Sequence, residues 1–343
     1  VKIDMEYTLN YLKEIMKVHS PSGDTEKGIK NVEEEFDKLK ISHKRTKKGA
    51  IIATIKGKDD EHHKTISAHI DTLGAMVKEI KNNGRLKMAQ IGGFSWTSVE
   101  GENVIVKTLN GEEYTGTILF DKQSVHIHGM IPRETIRSDE NMEIRLDEDV
   151  KNKDDVLKLG INVGDFVYCE TRTTITKNGY IKSRYLDDKA AVAIIMGICK
   201  YIKDNNIEPK YTTHFFISNY EEVGHGISAI PEKTDEFIAI DIGTVGLGQN
   251  SDEFSVCISA RDTSGPYDFS FRKKLQKICE KNNIQYKVDM YNRYGSDASK
   301  LVHQGVDVNY ALLGPGVDAT HHYERTHIKS LDNTAKLLLN YIV

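Results

Sequence analysis

Residues 213–220, Thr-His-Phe-Phe-Ile-Ser-Asn-Tyr, form a largely apolar run that leads directly into Glu221-Glu222-Val-Gly224. No other feature of the chain limits its fold as strongly. Such a run reads as a buried strand, and two adjacent acids at its end repel each other. Burying either one unpaired costs several kcal/mol or forces it to protonate. The fold therefore has to bring positive charge to the end of that strand, and a bound metal is the simplest source. His69, Asp71, Asp187, Asp241 and His321 are the partners such a metal would need.

At 343 residues the chain suits one large domain or two ordinary ones. A hydrophobic share of 38% with 29% charged residues places it among globular proteins. The net charge of −4 offers no basic excess for nucleic acid. No apolar run approaches the ~20 residues of a membrane span, and the first residues begin an amphipathic pattern rather than a signal peptide. Cys169, Cys199, Cys257 and Cys279 are scattered, with no Cys-x-x-Cys. Buried free thiols in a reducing cytoplasm are expected, which sets aside a sulfur-rich metal site.

Periodicity predicts helices over 4–18 and about 25–39, separated by the turn Ser20-Pro-Ser-Gly23, and strands at 51–55 and 65–69. The texture changes after Gly74. From 75 to 175 the segments are short, β-branched and punctuated by glycine, including 103–106, 114–120, 124–128 and 165–169. This predicts a small all-β unit, a barrel, inserted into an α/β domain made of 1–74 and 176–343. Within that second part a helix is expected over 188–205, strands at 211–218 and 236–241, a helix near 266–282, a strand at 308–313 and a last helix from Leu331. The charged stretch from Asp139 to Asp155 reads as solvated surface, and His62-His63 as a solvated loop.

Each chemical residue alone is ambiguous. His69-x-Asp71 puts two side chains on one face of an extended segment, where the acid could hold or flank the imidazole. It could equally be a core histidine. Asp187 or Asp188 could simply cap the helix that follows. Asp241 ends the strand Phe237–Ile240, and His321-His322 lies in a loop after the strand 308–313. Adjacent acids on an extended segment diverge, so Glu221 and Glu222 suit different jobs, one binding metal and the other acting as a base. The same divergence argues against a glycosidase pair, whose carboxyls must face each other. His126-x-His128 has metal-like spacing but falls in the β insert and reads as structural. The combination matters more than any member. His69, Glu221-Glu222, Asp241 and His321 all follow strand-like runs, and α/β sheets bind ligands beyond the carboxyl ends of their strands. Two histidines with several carboxylates match a pair of divalent cations, with zinc, cobalt or manganese the natural candidates.

Six segments in fixed order carry a family resemblance: Ser67-Ala-His-Ile-Asp-Thr-Leu-Gly74, Tyr185-Leu-Asp-Asp-Lys189, Asn219-Tyr-Glu-Glu-Val-Gly224, Ala239-Ile-Asp-Ile-Gly243, Arg293-Tyr-Gly-Ser-Asp-Ala298 and Ala319-Thr-His-His-Tyr-Glu-Arg-Thr-His327. Together they resemble the TET-type aminopeptidases of metallopeptidase family 42, a group that includes glutamyl and deblocking enzymes. The resemblance spans nearly the whole chain, including Val163-Gly-Asp-Phe-Val167 of the insert. It implies a mixed-sheet, phosphorylase/hydrolase-like domain carrying the inserted barrel. It also implies that His69 and Asp241 hold one metal, Glu222 and His321 the other, and that Asp187 bridges them. Asp71 would orient His69, and Glu221 would be the general base. A twelve-subunit homo-oligomer, assembled partly through the insert, is implied as well.

Three positions depart from the family pattern. Lys189 stands where arginine is common, His322 stands beside the implied ligand His321, and residues 243–250 are glycine-rich. Substrate preference is therefore not carried over from the glutamyl-type members. The expected activity is removal of N-terminal residues from peptides with a free N-terminus, by a cytoplasmic enzyme holding two divalent metals. Two other readings share parts of this pattern: a deacylase or carboxypeptidase of a related co-catalytic family, and a silent assembly protein that keeps the fold.

Overall fold

The computed structural model describes residues 2–343. The chain divides into two compact units, one of residues 1–72 with 172–343 and the other of 73–171. The larger unit is built on a mixed sheet. At its centre four mutually parallel strands lie in the order Tyr211–Ser218, Asp59–His69, Thr234–Ile240, Asn309–Asp318. Their pairing sets Ser218 beside His69, Ala239 beside Ser67 and Ile240 beside Leu313, so their carboxyl ends lie along one margin. Antiparallel strands flank them, Ile51–Ile55 next to Tyr211–Ser218 and Val256–Asp262 next to Asn309–Asp318.

The apolar run of 213–217 is explained by this position. Phe215, Phe216 and Ile217 point alternately to the two faces, and all are buried. A parallel strand covered on both sides reads as continuous hydrophobicity rather than alternation. Phe215 and Ile217 join the larger core, while Phe216 joins a second core with Ile52, Phe237 and Leu312.

The helix Leu186–Asp204 lies inside the larger core. Its run Ala190–Met196 is buried without interruption, and it packs against the helices Met5–Met16 and Ile328–Ile342 and the strand Asp59–His69. Small residues allow that proximity. A Cβ built on Gly197 would lie 2.3 Å from Thr8 Oγ1, itself a buried hydroxyl that donates to the Asp4 carbonyl.

The smaller unit is a closed six-stranded antiparallel barrel. Its strands are Gly74–Ile80, Leu86–Ile91, Met142–Leu146, Glu113–Phe120, Asn103–Lys107 and Phe166–Cys169. Alternation supplies its interior: along Glu113–Phe120 it is Gly116, Ile118 and Phe120 that turn inward. Two expectations for this unit are corrected. Residues 124–128 form no strand; Val125–His128 is a single exposed helical turn capped by Gly129 at positive φ. The stretch 139–155 is not all surface, because Met142, Ile144 and Leu146 alternate into the barrel between charged neighbours. In the larger unit, His62-His63 belongs to the strand Asp59–His69 rather than a loop, and the His63 ring lies 2.8 Å from the buried His214.

Gly197→Ala should destabilise the protein by about 1–3 kcal/mol, the usual range for overpacking a filled core. The check is a denaturant or thermal melt with far-UV dichroism. A melt unchanged from the native chain would show that the two helices can separate freely.

Candidate metal centre

Five strand-end or loop residues converge beyond the carboxyl margin of the central strands. His69 is the last residue of its strand and is buried. Its Nδ1 lies 2.8 Å from the Asp71 carbonyl, so this nitrogen carries the proton and donates it. Nε2 is thereby the position for a second proton or a metal, 3.0 Å from Asp187 Oδ1. The Asp71 contact that orients the ring therefore comes from its backbone; the Asp71 carboxylate is 3.5 Å away.

That carboxylate has another task, which sequence reasoning missed. It is fully buried and accepts the Glu221 N–H on Oδ1 and the Glu222 N–H on Oδ2, each at 3.1 Å, with Ser22 Oγ donating at 2.5 Å. Asp71 thus fastens the doublet. Glu221–Val223 is one 3-10 turn closed by Gly224 in the left-handed region, not the extended segment expected. The two acids still part company. Glu221 Oε2 lies 3.6 Å from His69 Nε2, and Glu222 Oε2 lies 3.5 Å from His321 Nε2.

Asp187 stands between the two histidines, with its second oxygen 3.3 Å from His321 Nε2. Neither aspartate caps the helix. Asp187 and Asp188 have non-helical backbones joined by a cis peptide bond, and Asp188 accepts the His69 N–H at 3.0 Å. Asp241 follows its strand directly and accepts the Ile242 N–H at 2.7 Å. His321 sits in a turn with positive φ. Of the neighbouring histidines, its ring faces the carboxylates, while His322 Nδ1 accepts the Tyr323 N–H. Glu324, buried and unforeseen, accepts the N–H of Asp187 and that of His321 on its two oxygens, at 3.2 and 3.3 Å. It was present in the quoted segment 319–327, but nothing in its spacing announced that role.

Ligand-capable atoms form two groups, His69–Asp187–Asp241 and Asp187–Glu222–His321, each within 4.8 Å and sharing Asp187. His126 and His128 join no such group among the described residues. The charge balance explains what these groups require. If protons were the only cations available, burial would hold Glu221, Glu222 and Asp188 well above the usual carboxylate range. Burial and the neighbouring Asp187 charge push Asp241 up to about 7 and Glu324 up to about 8. Asp187 and Asp71 are held low: burial opposes both charges, but His321 and His69 prevail at Asp187, and His69, Ser22 and the Glu221 N–H at Asp71. For His69, burial also opposes the charged form, yet Glu221, Asp187 and Asp71 raise its affinity for a proton well above the ordinary. Glu222 Oε1 has no hydrogen-bond partner although it is buried. A carboxylate-rich cluster with an orphaned oxygen and two correctly oriented imidazoles fits divalent cations of borderline hardness.

The cluster forms one wall of a cavity of about 670 Å3, with Tyr294, Thr263 and Arg293 among the other lining residues. That size is ordinary for a small-ligand site.

Residues 49–337 match the family described as M42 glutamyl aminopeptidase. The chain is 48% identical over 336 residues to the Bacillus subtilis protein named "Putative aminopeptidase YhfE", covering 98% of this chain and 97% of that one. Among solved structures, the TET aminopeptidase of a marine sediment Thaumarchaeota archaeon superposes with a TM-score of 0.88 at 18% identity, over 98% of this chain and 96% of that one. The Pyrococcus horikoshii TET1 peptidase superposes at 0.84 with 21% identity, over 98% and 99%. The latter two likenesses bear on the fold, and the family match rests on sequence across most of the chain. The chain is a peptidase of the M42 glutamyl aminopeptidase family.

Proposed function

We propose that this peptidase removes N-terminal residues from peptides with the help of two divalent metal ions, zinc or cobalt first and manganese as an alternative. The observation that carries this reading is the pair of ligand groups sharing Asp187. His69 and Asp241 would hold one ion, Glu222 and His321 the other, and Asp187 both. When bound, such ions lower the pKa of water toward neutrality and stabilise negative charge on a carbonyl oxygen.

The chain's own residues then have separable tasks. Glu221 is the spare carboxylate, outside both ligand groups yet at the cavity wall. It takes the proton of the attacking water and returns it to the leaving amine. Asp71 keeps that carboxylate in place by holding the backbone of its turn. Glu324 does the same for Asp187 and His321. The negative cluster also gives the free α-ammonium of a peptide a favourable place beside the scissile bond, which selects chain ends.

A homo-oligomer of twelve subunits is part of the proposal, with the barrel unit serving assembly or substrate access. The Pyrococcus horikoshii peptidase is described as assembling into a tetrahedron or a large octahedral shell. All four cysteines are buried thiols outside any disulfide, which suits a reducing cytoplasm. No helix among the described residues is long and apolar enough to cross a membrane.

The function is tested by measuring residue release from short peptides with free and with acetylated N-termini, after chelation and after adding zinc, cobalt or manganese. Release should be confined to free N-termini, vanish on chelation and return with metal. Release that survives complete chelation would refute the reading.

Glu221→Gln should lower kcat by about 10²–10⁴-fold, the usual contribution of a general base. Its metal content by elemental analysis should stay at the native level. A variant with near-native turnover would remove Glu221 from that role.

The raised carboxyls also set the pH dependence of the metal-free protein. Between their ordinary range and their raised values, these groups are protonated when folded and ionised when unfolded, so stability falls as pH rises. With Asp241 at about 7 and Glu324 at about 8, chelated protein should melt at lower temperature as pH climbs from about 5 to about 8. Added zinc should restore melting most at the alkaline end. A flat or rising profile for the chelated protein would contradict this charge balance.

A further inference from the structure

The segment Arg293-Tyr-Gly-Ser-Asp-Ala298 supplies no member of either ligand group. Its Asp297 is buried all the same, and it does not line the cavity. Nor is it the cap of the helix it opens, Asp297–His303. Ser296 does that work in a capping box with Ser299. A carboxyl taken out of water is costly unless something else engages it.

What engages Asp297 is the base of the loop that carries the doublet. Ser218, the last residue of its strand, pairs in register with His69, and its carbonyl accepts the Ile70 N–H at 2.9 Å. Its Oγ donates to Asp297 Oδ2 at 2.5 Å. From Ser218 the chain makes the doublet turn and comes back past the same carboxylate at Gly226. A Cβ built on Gly226 would lie 2.3 Å from Asp297 Oδ1 and 2.9 Å from Ser218 Oγ, so the returning chain fits there because it has no side chain. Asp297 therefore sits where the two ends of the loop 218–226 meet. Inside the loop, the Glu221 carbonyl accepts the Gly224 N–H at 2.7 Å and the Tyr220 carbonyl accepts the His225 N–H at 3.1 Å.

Asp297 also stands nearer in its influence to one acid of the doublet than to the other. Burial holds Glu221 up, His69 opposes, and the charges of Asp241, Asp297 and Glu222 add to the rise. At Glu222 burial is again foremost, but the charges that follow are Asp187, His321, His69 and Asp71.

We propose that Asp297 is a positioning residue for Glu221: by closing the base of the loop 218–226 it sets how the Glu221 carboxylate meets the attacking water. This rests on the base assignment above and extends it to a residue outside the cavity and outside both ligand groups. Asp71 holds the main chain of the turn, and Asp297 holds the two ends of the loop. A base displaced by a fraction of an ångström loses rate while substrate and ions are held as before. The signature is a fall in kcat with KM and metal content kept.

The experiment uses the full-length, metal-loaded enzyme and a short peptide with a free N-terminus that the native enzyme cleaves. Asp297→Ala should lower kcat by about 10–100-fold, the cost of a small misplacement. KM should stay within about twofold, and metal by elemental analysis should stay at the native level. Asp297→Asn keeps an acceptor for the Ser218 hydroxyl and should recover most of the turnover. Ser218→Ala should repeat the loss, and it carries the test if Asp297→Ala does not fold. In a Glu221→Gln background, adding Asp297→Ala should cost less than about twofold, because two residues acting as a unit are not additive. Native kcat in both alanine variants, a fall that only tracks lost metal, or an undiminished loss on top of Glu221→Gln would overturn the proposal. Native turnover in Glu221→Gln alone is a different result, and it refutes the base assignment itself.

Discussion

Asp187 lies between two imidazoles, one oxygen 3.0 Å from His69 Nε2 and the other 3.3 Å from His321 Nε2. Around it stand Glu221, Glu222 and Asp241, and behind them the fully buried Asp71 and Asp188. So much negative charge in so little water is the constraint on which the rest of the larger unit depends. Four parallel strands deliver these residues to one margin, and the buried helix beginning at Leu186 delivers the aspartate pair. In the proposed mechanism the same charge that burdens folding is what draws the cations in. Binding energy that would otherwise be spent on forcing protons onto carboxyls becomes affinity for metal.

The cluster is held mainly by its backbone. Asp71 clasps the N–H groups of Glu221 and Glu222, and Glu324 clasps those of Asp187 and His321. Each clasp is a buried carboxylate with both oxygens engaged. Because both clasps grip main-chain N–H groups, neither takes up a side-chain atom of Glu221, Glu222, Asp187 or His321. The arrangement also couples the two halves of the centre, since Asp71 lies two residues from His69 and Glu324 three from His321. In the proposed mechanism a cluster fixed in this way would need little rearrangement to take up ions, the condition for effective electrostatic catalysis.

Much of this was legible in the sequence, for definite reasons. The run at 213–217 betrayed a strand buried on both faces, and the acids after it pointed to the cluster of carboxylates and histidines that the proposed metals would occupy. Alternation within 114–120 betrayed the barrel. Other parts were hidden. Asp71 was expected to orient His69 through its carboxylate, yet that work falls to its carbonyl, and backbone contacts leave no mark in residue identity. Asp187 resembled a helix cap because its backbone geometry cannot be read from the letters Asp-Asp-Lys. Met142, Ile144 and Leu146 were obscured by the charges flanking them. His126-x-His128 looked extended because β-branched neighbours surround it, but Gly129 ends a helical turn there. Glu324 could not be found at all without the fold, since its partners Asp187 and His321 come from distant and neighbouring segments alike.

The central claim is that one carboxylate, Asp187, unites two cation sites. Titrating the chelated protein with cobalt(II), followed by calorimetry and visible absorption, tests it most directly. The account predicts two equivalents bound per chain, with Asp187→Asn weakening both sites and His321→Ala weakening one. Saturation at a single equivalent, or an Asp187→Asn variant that retains one site at native affinity, would contradict it.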